Sequence, residues 1–276
     1  NDKLESVQYE DFILKIAVVG EMLPKKVFLI LDENELRLNS KEPHTYEHVF
    51  KSLKSDITFR LFAEGYYSSP YTIKILPKPK ILDFSVHIRY PKYTAKKSIE
   101  LKNVGDFEVP EGANAKWIFQ TKNTQSISLE FNDQNLQKKI EENVFFEKIL
   151  SKSTPYKVKV FNTFSLEDSL LYHAEVIPDQ FPKIEVKKLD SSASAKYIFE
   201  GKIEDDYALT KLTFNLLLND LDSVYSEEIE IKKLSKELFY YVYDFKNIPI
   251  AEKFSYYFEV WDNDGFNGHK SSKSKI

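Results

Sequence analysis

Cysteine is absent from this chain of 276 residues, and glycine (seven), tryptophan (two) and methionine (one) are scarce. The lack of cysteine excludes disulfides, thiolate metal sites and a cysteine nucleophile. With so few glycines there is little material for phosphate-binding loops, and no phosphate-loop, dinucleotide, serine-hydrolase or zinc-protease motif is present. No apolar run reaches the ~18 to 20 residues that span a bilayer, and no signal peptide stands at Asn1. The sequence predicts no catalytic residue and no resident cofactor other than the calcium ion considered below.

Aromatic and branched residues are plentiful, with 21 Phe and 17 Tyr in a composition that is 42% hydrophobic. Such residues pack well on pleated surfaces and favour β-strands. The net charge of -4 argues against nucleic acid as a partner, because phosphate-backbone binding needs a basic surface.

Two proline-rich joints, residues 76–80 and 177–182, lie about one immunoglobulin-module length apart. Each joint separates one set of alternating apolar segments from the next, as a short stiff linker does. The sequence therefore predicts three modules, at residues 1–79, 80–180 and 181–276.

The second and third modules repeat one pattern near their starts. Residues 115–120 (AKWIFQ) match residues 195–200 (AKYIFE), and each stretch is followed by another alternating run. Only Asp133 to Glu142 has helical spacing, and it predicts one short surface helix. About seven or eight short strands per module predict an all-β chain of three tandem immunoglobulin-like or fibronectin-like antiparallel β-sandwiches. A single large sandwich is the competing prediction.

Several short motifs occur in a fixed order: Tyr90-Pro91-Lys92-Tyr93-Thr94, Asn103-Val104-Gly105-Asp106-Phe107, Val109-Pro110-Glu111-Gly112, Gly201-Lys202-Ile203-Glu204-Asp205-Asp206-Tyr207 and the loop from Asp262 to Gly268. In this respect the chain resembles a family of large Bacteroidota envelope proteins of unknown function. One departure is Ala208, where that family tends to have Gly. The resemblance implies membrane helices before this segment, immunoglobulin-like modules outside the membrane and an extracytoplasmic location. It implies no activity.

Carboxylates cluster in the third module and its linker. In the immunoglobulin arrangement, the loop after the second strand and the loop before the last strand lie beside the incoming linker. This geometry is expected to gather Asp179, Glu204, Asp205, Asp206, Asp262 and Asp264. Six to eight such oxygens suit calcium, so one hypothesis is a calcium ion that stiffens the joint. The alternative is plain turn chemistry, since Asp and Asn are preferred turn formers.

Three tyrosine doublets, Tyr66-Tyr67, Tyr240-Tyr241 and Tyr256-Tyr257, are each expected to bury one ring and expose the other. Lysine-rich stretches such as Lys270 to Lys275 are interpreted as solvated edge or tail residues.

The preferred functional hypothesis is a non-enzymatic scaffold or protein-interaction segment of a larger, membrane-tethered envelope protein. Its partner is expected to be another protein of the cell envelope, and contact with the membrane is expected only through segments outside this sequence. The alternative is a carbohydrate-binding or adhesion module with a glycan partner. An enzyme ranks third, since it needs a cleft with convergent titratable groups.

Overall fold

A computed structural model describes residues 4–21, 23–140, 144–189, 196–218, 225–247 and 254–275. In these ranges the chain forms 25 β-strands and two 3-10 turns of three residues each. The strands build three tandem β-sandwiches of the immunoglobulin type, which confirms the predicted fold class. Within the same ranges, no helix has the length and apolar character needed to cross a membrane.

The first sandwich is formed by the first nine strands. They are β1 (Glu5–Val7), β2 (Phe12–Ala17), β3 (Phe28–Leu31), β4 (Asn34–Arg37), β5 (Asn39–Glu42), β6 (Thr45–Phe50), β7 (Ile57–Ala63), β8 (Tyr66–Tyr67) and β9 (Tyr71–Leu76). One sheet has the order β1-β9-β7-β3-β4, with β8 paired to β7, and the other has the order β2-β6-β5. Leu29 and Ile73 are fully buried between them.

The second sandwich is formed by the next nine strands. They are β10 (Lys80–Arg89), β11 (Ile99–Lys102), β12 (Phe107–Pro110), β13 (Ala113–Lys122), β14 (Ser126–Phe131), β15 (Asn135–Lys139), β16 (Phe145–Leu150), β17 (Thr154–Phe161) and β18 (Glu167–Ile177). The sheets run β11-β10-β13-β16 and β12-β18-β17-β14-β15. Trp117 lies at the centre of the core, with its ring centroid 5.5 Å from that of Tyr156.

The third sandwich is formed by the last seven strands. They are β19 (Lys183–Leu189), β20 (Lys196–Glu204), β21 (Leu209–Leu218), β22 (Tyr225–Ile229), β23 (Lys236–Asp244), β24 (Phe254–Asp262) and β25 (Ser271–Lys273). The sheets run β19-β20-β23 and β22-β21-β24-β25. Phe199, Phe214 and Phe258 fill the space between them.

Each sandwich has its own hydrophobic core. The three clusters of buried residues draw their members from residues 14–73, 84–176 and 199–260. A single large sandwich with one interior, the competing prediction, is therefore wrong. The module limits at 79/80 and 180/181 stay a prediction.

The predicted helix at Asp133 to Glu142 is wrong where the structure describes it. Residues Asn135–Lys139 form β15, which pairs antiparallel with β14 and sets Leu136 opposite Leu129. Cross-strand pairing of these two leucines outweighs the helical spacing of Leu136 and Ile140. The last two positions, 141 and 142, lie outside the described residues.

The tyrosine doublets follow the predicted alternation in one case of three. Tyr240 is 64% exposed while Tyr241 turns inward against the core. Tyr66 and Tyr67 are both exposed, because β8 is a two-residue strand at the tip of a hairpin and covers no core. Tyr256 also turns inward against the core, but Tyr257 on the opposite face is half-buried and not exposed.

Candidate functional site at the junction of the second and third modules

Two loops of the third module contact the linker (residues 177–182) that enters from the second module. The early loop (residues 205–208) joins β20 to β21, and the closing loop (residues 263–270) joins β24 to β25. The backbone N–H of Gln180 in the linker donates to Asp206 Oδ2 at 3.4 Å, and Lys270 of the closing loop contacts Asp179. The structure thus brings together the loops and the linker that the sequence placed side by side.

Lys270 joins the linker to the closing loop. Its Nζ donates to Asp179 Oδ2 and, at 2.8 Å, to Asp264 Oδ2. The side chains of Asp179 and Asp264 are only 1% and 0% exposed, and that of Lys270 is 17% exposed. Burial alone would lower the pKa of Lys270, but the two carboxylates raise it above its ordinary value. The ammonium is therefore charged and serves as an internal counterion.

The closing loop is held by its own carboxylates. Asp262 Oδ1 accepts the backbone N–H of Asp264 at 3.1 Å and that of Lys270 at 2.8 Å. Asp264 Oδ1 accepts the N–H of Phe266 at 2.7 Å and that of Asn267 at 3.3 Å. These are the turn-forming bonds that short acidic side chains make to nearby backbone. The turn-chemistry interpretation accounts for this part of the cluster.

Tyr93 connects the second module to the junction. Its ring lies edge-on to that of Tyr207 with centroids 5.0 Å apart, and its hydroxyl donates to the carbonyl of Glu111 at 2.7 Å. The side-chain amide of Asn263 donates to the Tyr93 carbonyl at 2.9 Å. The two modules are thus joined by direct contacts as well as by the linker.

Phe266 packs directly on Gly112 of the second module. A Cβ added at Gly112 would lie 2.7 Å from the Phe266 ring, and the positive φ of +83° there also disfavours any side chain. Sequence reasoning assigned no role to Tyr93, Gly112 or Phe266, although all three lie in motifs that carry the resemblance. Lys270 was interpreted as a solvated tail residue, and that interpretation is wrong because its ammonium is held between two buried carboxylates.

Glu204 does not join the predicted carboxylate group. It ends β20 with its side chain on the outer face of the sheet, where Lys202 Nζ lies 2.6 Å and Lys236 Nζ 2.7 Å from Glu204 Oε1. These two ion pairs hold the pKa of Glu204 at about 2. The reason is strand alternation, which places residues 202 and 204 on one face and adds the cross-strand neighbour 236.

The predicted calcium site has no preformed acidic ligand set in the described parts of the chain. There, no group of three or more Asp, Glu or His side chains is arranged to hold one metal ion. Four buried oxygens at the junction, Asp179 Oδ1, Asp205 Oδ1, Asp262 Oδ2 and Asn263 Oδ1, have no hydrogen-bond donor among the described residues. The ammonium of Lys270 already lies between Asp179 and Asp264 and offsets one of their two negative charges. Calcium binding stays a prediction, and the geometry favours the lysine as the cation of this joint.

Burial raises the pKa of Asp179 to about 6, and neighbouring carboxylates add to the effect against the opposing hydrogen bond from Lys270. Burial also raises the pKa of Asp205. A raised carboxyl pKa is typical of general acids, but the Asp179 side chain is almost fully enclosed and covered by Lys270. A substrate cannot reach it, so the arrangement suits a structural joint.

No protein-family model matches the chain, and no curated protein matches it. Similar solved structures include the I67–I69 fragment of titin, with 12% identity and a TM-score of 0.42 over 99% of this chain and 94% of the other. The three-domain ectodomain of mouse nectin-like molecule 4 has 7% identity and a TM-score of 0.42 over 100% and 96%. A calcium-stabilised, ice-binding adhesin of an Antarctic bacterium has 8% identity and a TM-score of 0.41 over 96% and 68%. Identities of this size bear on the fold alone.

Proposed function

We propose that this chain is a non-enzymatic, semi-rigid spacer and protein-interaction segment that holds a neighbouring domain or protein partner at a fixed distance. The observation that carries the proposal is the contact of Lys270 with Asp179 and Asp264, which ties the linker to the third module. A free linker would let the modules swing, whereas a buried ion pair with additional hydrogen bonds fixes one geometry.

The joint between the first and second modules supports the same proposal. The side-chain amide of Asn162 donates to the Pro77 carbonyl at 2.6 Å. Lys78 Nζ lies 2.8 Å from Glu10 Oε1 of the first module. Both contacts hold the proline-rich linker against the modules on either side, and the prolines themselves restrict its backbone.

Small-angle X-ray scattering of the chain tests the spacer directly. A single globule of 276 residues would have a radius of gyration of roughly 19 Å by the usual scaling for compact domains. We expect a clearly larger radius and a distance distribution with a long tail, as three sandwiches in series produce. A radius near the globular value would contradict the spacer proposal.

The extracytoplasmic location and the membrane tether are supported only by the resemblance of the sequence motifs to the envelope family. Fractionation of cells that produce the full-length protein tests both. Recovery in the membrane fraction, with these modules open to protease added to spheroplasts, is the expected result. Recovery of the full-length protein in the cytosol would contradict this part of the proposal.

A second candidate function, adhesion to a glycan, is favoured by one observation. Tyr66 and Tyr67 are 81% and 58% exposed at the tip of the first module, and exposed tyrosines can stack on sugar rings. Binding on a glycan array that disappears in the Tyr66→Ala variant, but persists when the exposed Leu171 is changed to Ala, would favour this function. If no glycan on the array is bound, the adhesion function is contradicted and the spacer function is the one that stays.

A further inference from the structure

The outer edge of β23 in the third module is exposed and apolar. β23 is the last strand of the sheet β19-β20-β23, and no described strand pairs with its outer side. Leu238, Tyr240 and Val242 point away from the core and are 67%, 64% and 54% exposed. Ile198, which lies opposite Val242 on β20, extends the apolar surface at one end.

The corresponding edges of the other two modules are protected. In the first module the edge strand is β5, which is only four residues long, has the polar sequence NSKE and pairs with β6 through a register shift between Ser40 and Glu42. In the second module, Lys138 Nζ donates to the carbonyl of Phe145 on β16 at 2.6 Å and lies 4.6 Å from the centre of the Phe145 ring. Short, polar, irregular edge strands and lysines placed over an edge are ways in which natural proteins prevent unwanted strand pairing.

β23 has none of these protections among the described residues. It is nine residues long, contains neither proline nor glycine, and pairs with β20 without a bulge. Its lysine stands at the end of the strand, at position 236, and leaves the centre apolar. A long, regular, apolar edge invites another strand.

The sequence of β23 matches itself in the antiparallel direction. If two copies pair around a two-fold axis at Tyr240, Lys236 of each copy lies opposite Asp244 of the other. Leu238 then lies opposite Val242, and Tyr240 meets its own copy. All five residues share one face of the strand, since side chains alternate. Lys236, whose ammonium also contacts Glu204 of its own chain, therefore meets an opposite charge at both ends. Uncharged side chains meet in the middle, where the Tyr240 hydroxyl donates to Glu200 of its own chain at 2.7 Å. Both kinds of cross-strand pair are stabilising.

We propose that this edge is a homodimer interface, in which β23 strands of two chains pair antiparallel and join two three-stranded sheets into one of six strands. The occupant is a second copy of this chain, because the charge pattern of β23 complements itself. A two-fold contact of this kind closes on itself, so association stops at the dimer.

Sedimentation equilibrium over micromolar to sub-millimolar concentrations, with matched variants, tests the proposal. Leu238→Lys places a charge in the apolar centre, and Leu171→Lys makes the same change at a residue that is 71% exposed on the second module. We expect Leu238→Lys to weaken the dimer roughly tenfold or more and Leu171→Lys to leave it unchanged. Both positions are exposed, so both variants should keep the wild-type circular dichroism spectrum.

Cysteine cross-linking tests the register, because the chain has no native cysteine. Tyr240→Cys lies on the proposed axis and should form a disulfide-linked dimer under mild oxidation, far faster than Leu171→Cys. The proposal is overturned if the chain is monomeric at all concentrations, if association continues beyond the dimer, if Leu238→Lys leaves the dimer intact, or if the two cysteine variants cross-link at equal rates.

Discussion

Removal of the Lys270 ammonium is the sharpest perturbation of the junction. Lys270→Met keeps most of the side-chain volume but leaves Asp179 and Asp264 as buried carboxylates without their shared cation. Loss of one partner from a buried ion pair typically costs about 3 to 5 kcal/mol, because the remaining charge stays desolvated. We expect a loss of that size in the free energy of unfolding of the third module.

The measurement is denaturant unfolding followed by tryptophan fluorescence. The chain has two tryptophans, Trp117 in the second core and Trp261 on β24 of the third module. In a Trp117→Phe background, Trp261 alone reports the third module. This separation matters because a chain of three modules need not unfold in one two-state step.

The matched control is Lys236→Met, and all these variants are compared in the Leu238→Lys background because position 236 lies in the proposed dimer interface. Lys236 also bonds a carboxylate, Glu204, but its side chain is 64% exposed, and exposed pairs contribute only about 0 to 1 kcal/mol. Adding Asp179→Asn to Lys270→Met should recover part of the loss, since it neutralises one stranded carboxylate. If Lys270→Met costs no more than Lys236→Met, the account of the junction as a buried ionic joint is refuted.

Three further outcomes are expected. Folding raises the pKa of the Asp179 carboxyl from 3.8 to about 6. Between these two pH values the folded chain binds more protons than the unfolded chain, so this carboxyl adds to the free energy of unfolding as the pH falls. The difference in the free energy of unfolding between wild type and Asp179→Asn should therefore rise by up to roughly 3 kcal/mol as the pH is lowered from 7 to 4. A difference that stays constant with pH in denaturant unfolding would contradict the raised pKa of Asp179. Gly201→Ala should cost about 1 to 3 kcal/mol by the same fluorescence assay, because its Cβ would lie 2.2 Å from the Phe239 ring, and a neutral effect would show that the ring moves aside. Millimolar calcium should leave the melting temperature unchanged if Lys270 is the cation of this joint, whereas a rise that chelator reverses would support the calcium hypothesis.

Strand alternation made most of the fold predictable. The matching stretches at 115–120 and 195–200 indicated equivalent strands, and β13 and β20 lie where this match placed them, with position 195 outside the described residues. The paired prolines predicted the module limits at 79/80 and 180/181, which stay a prediction. The spacing of Leu136 and Ile140 misled because local helical period carries no information about a cross-strand partner such as Leu129.

The site was predictable only in part, for a physical reason. Immunoglobulin topology was enough to bring the early loop, the closing loop and the linker together. The identity of the cation beside their carboxylates depends on the conformation of a single side chain. Lys270 lies among other lysines in the sequence, and no pattern distinguishes it from them. The outward position of Glu204 was readable from alternation with Lys202, but the loop residues that follow it obscured that signal.

The central claim is that the Lys270 contact makes the second and third modules one rigid unit. Spin labels attached at Leu171→Cys and Glu228→Cys, two exposed positions, would report the distance between the modules by pulsed electron paramagnetic resonance. The measurement is made in the Leu238→Lys background, so that distances between spin labels on two paired chains do not contribute. The account predicts one narrow distance distribution that broadens when Lys270→Met is added. A distribution that is already broad with Lys270 present would contradict it.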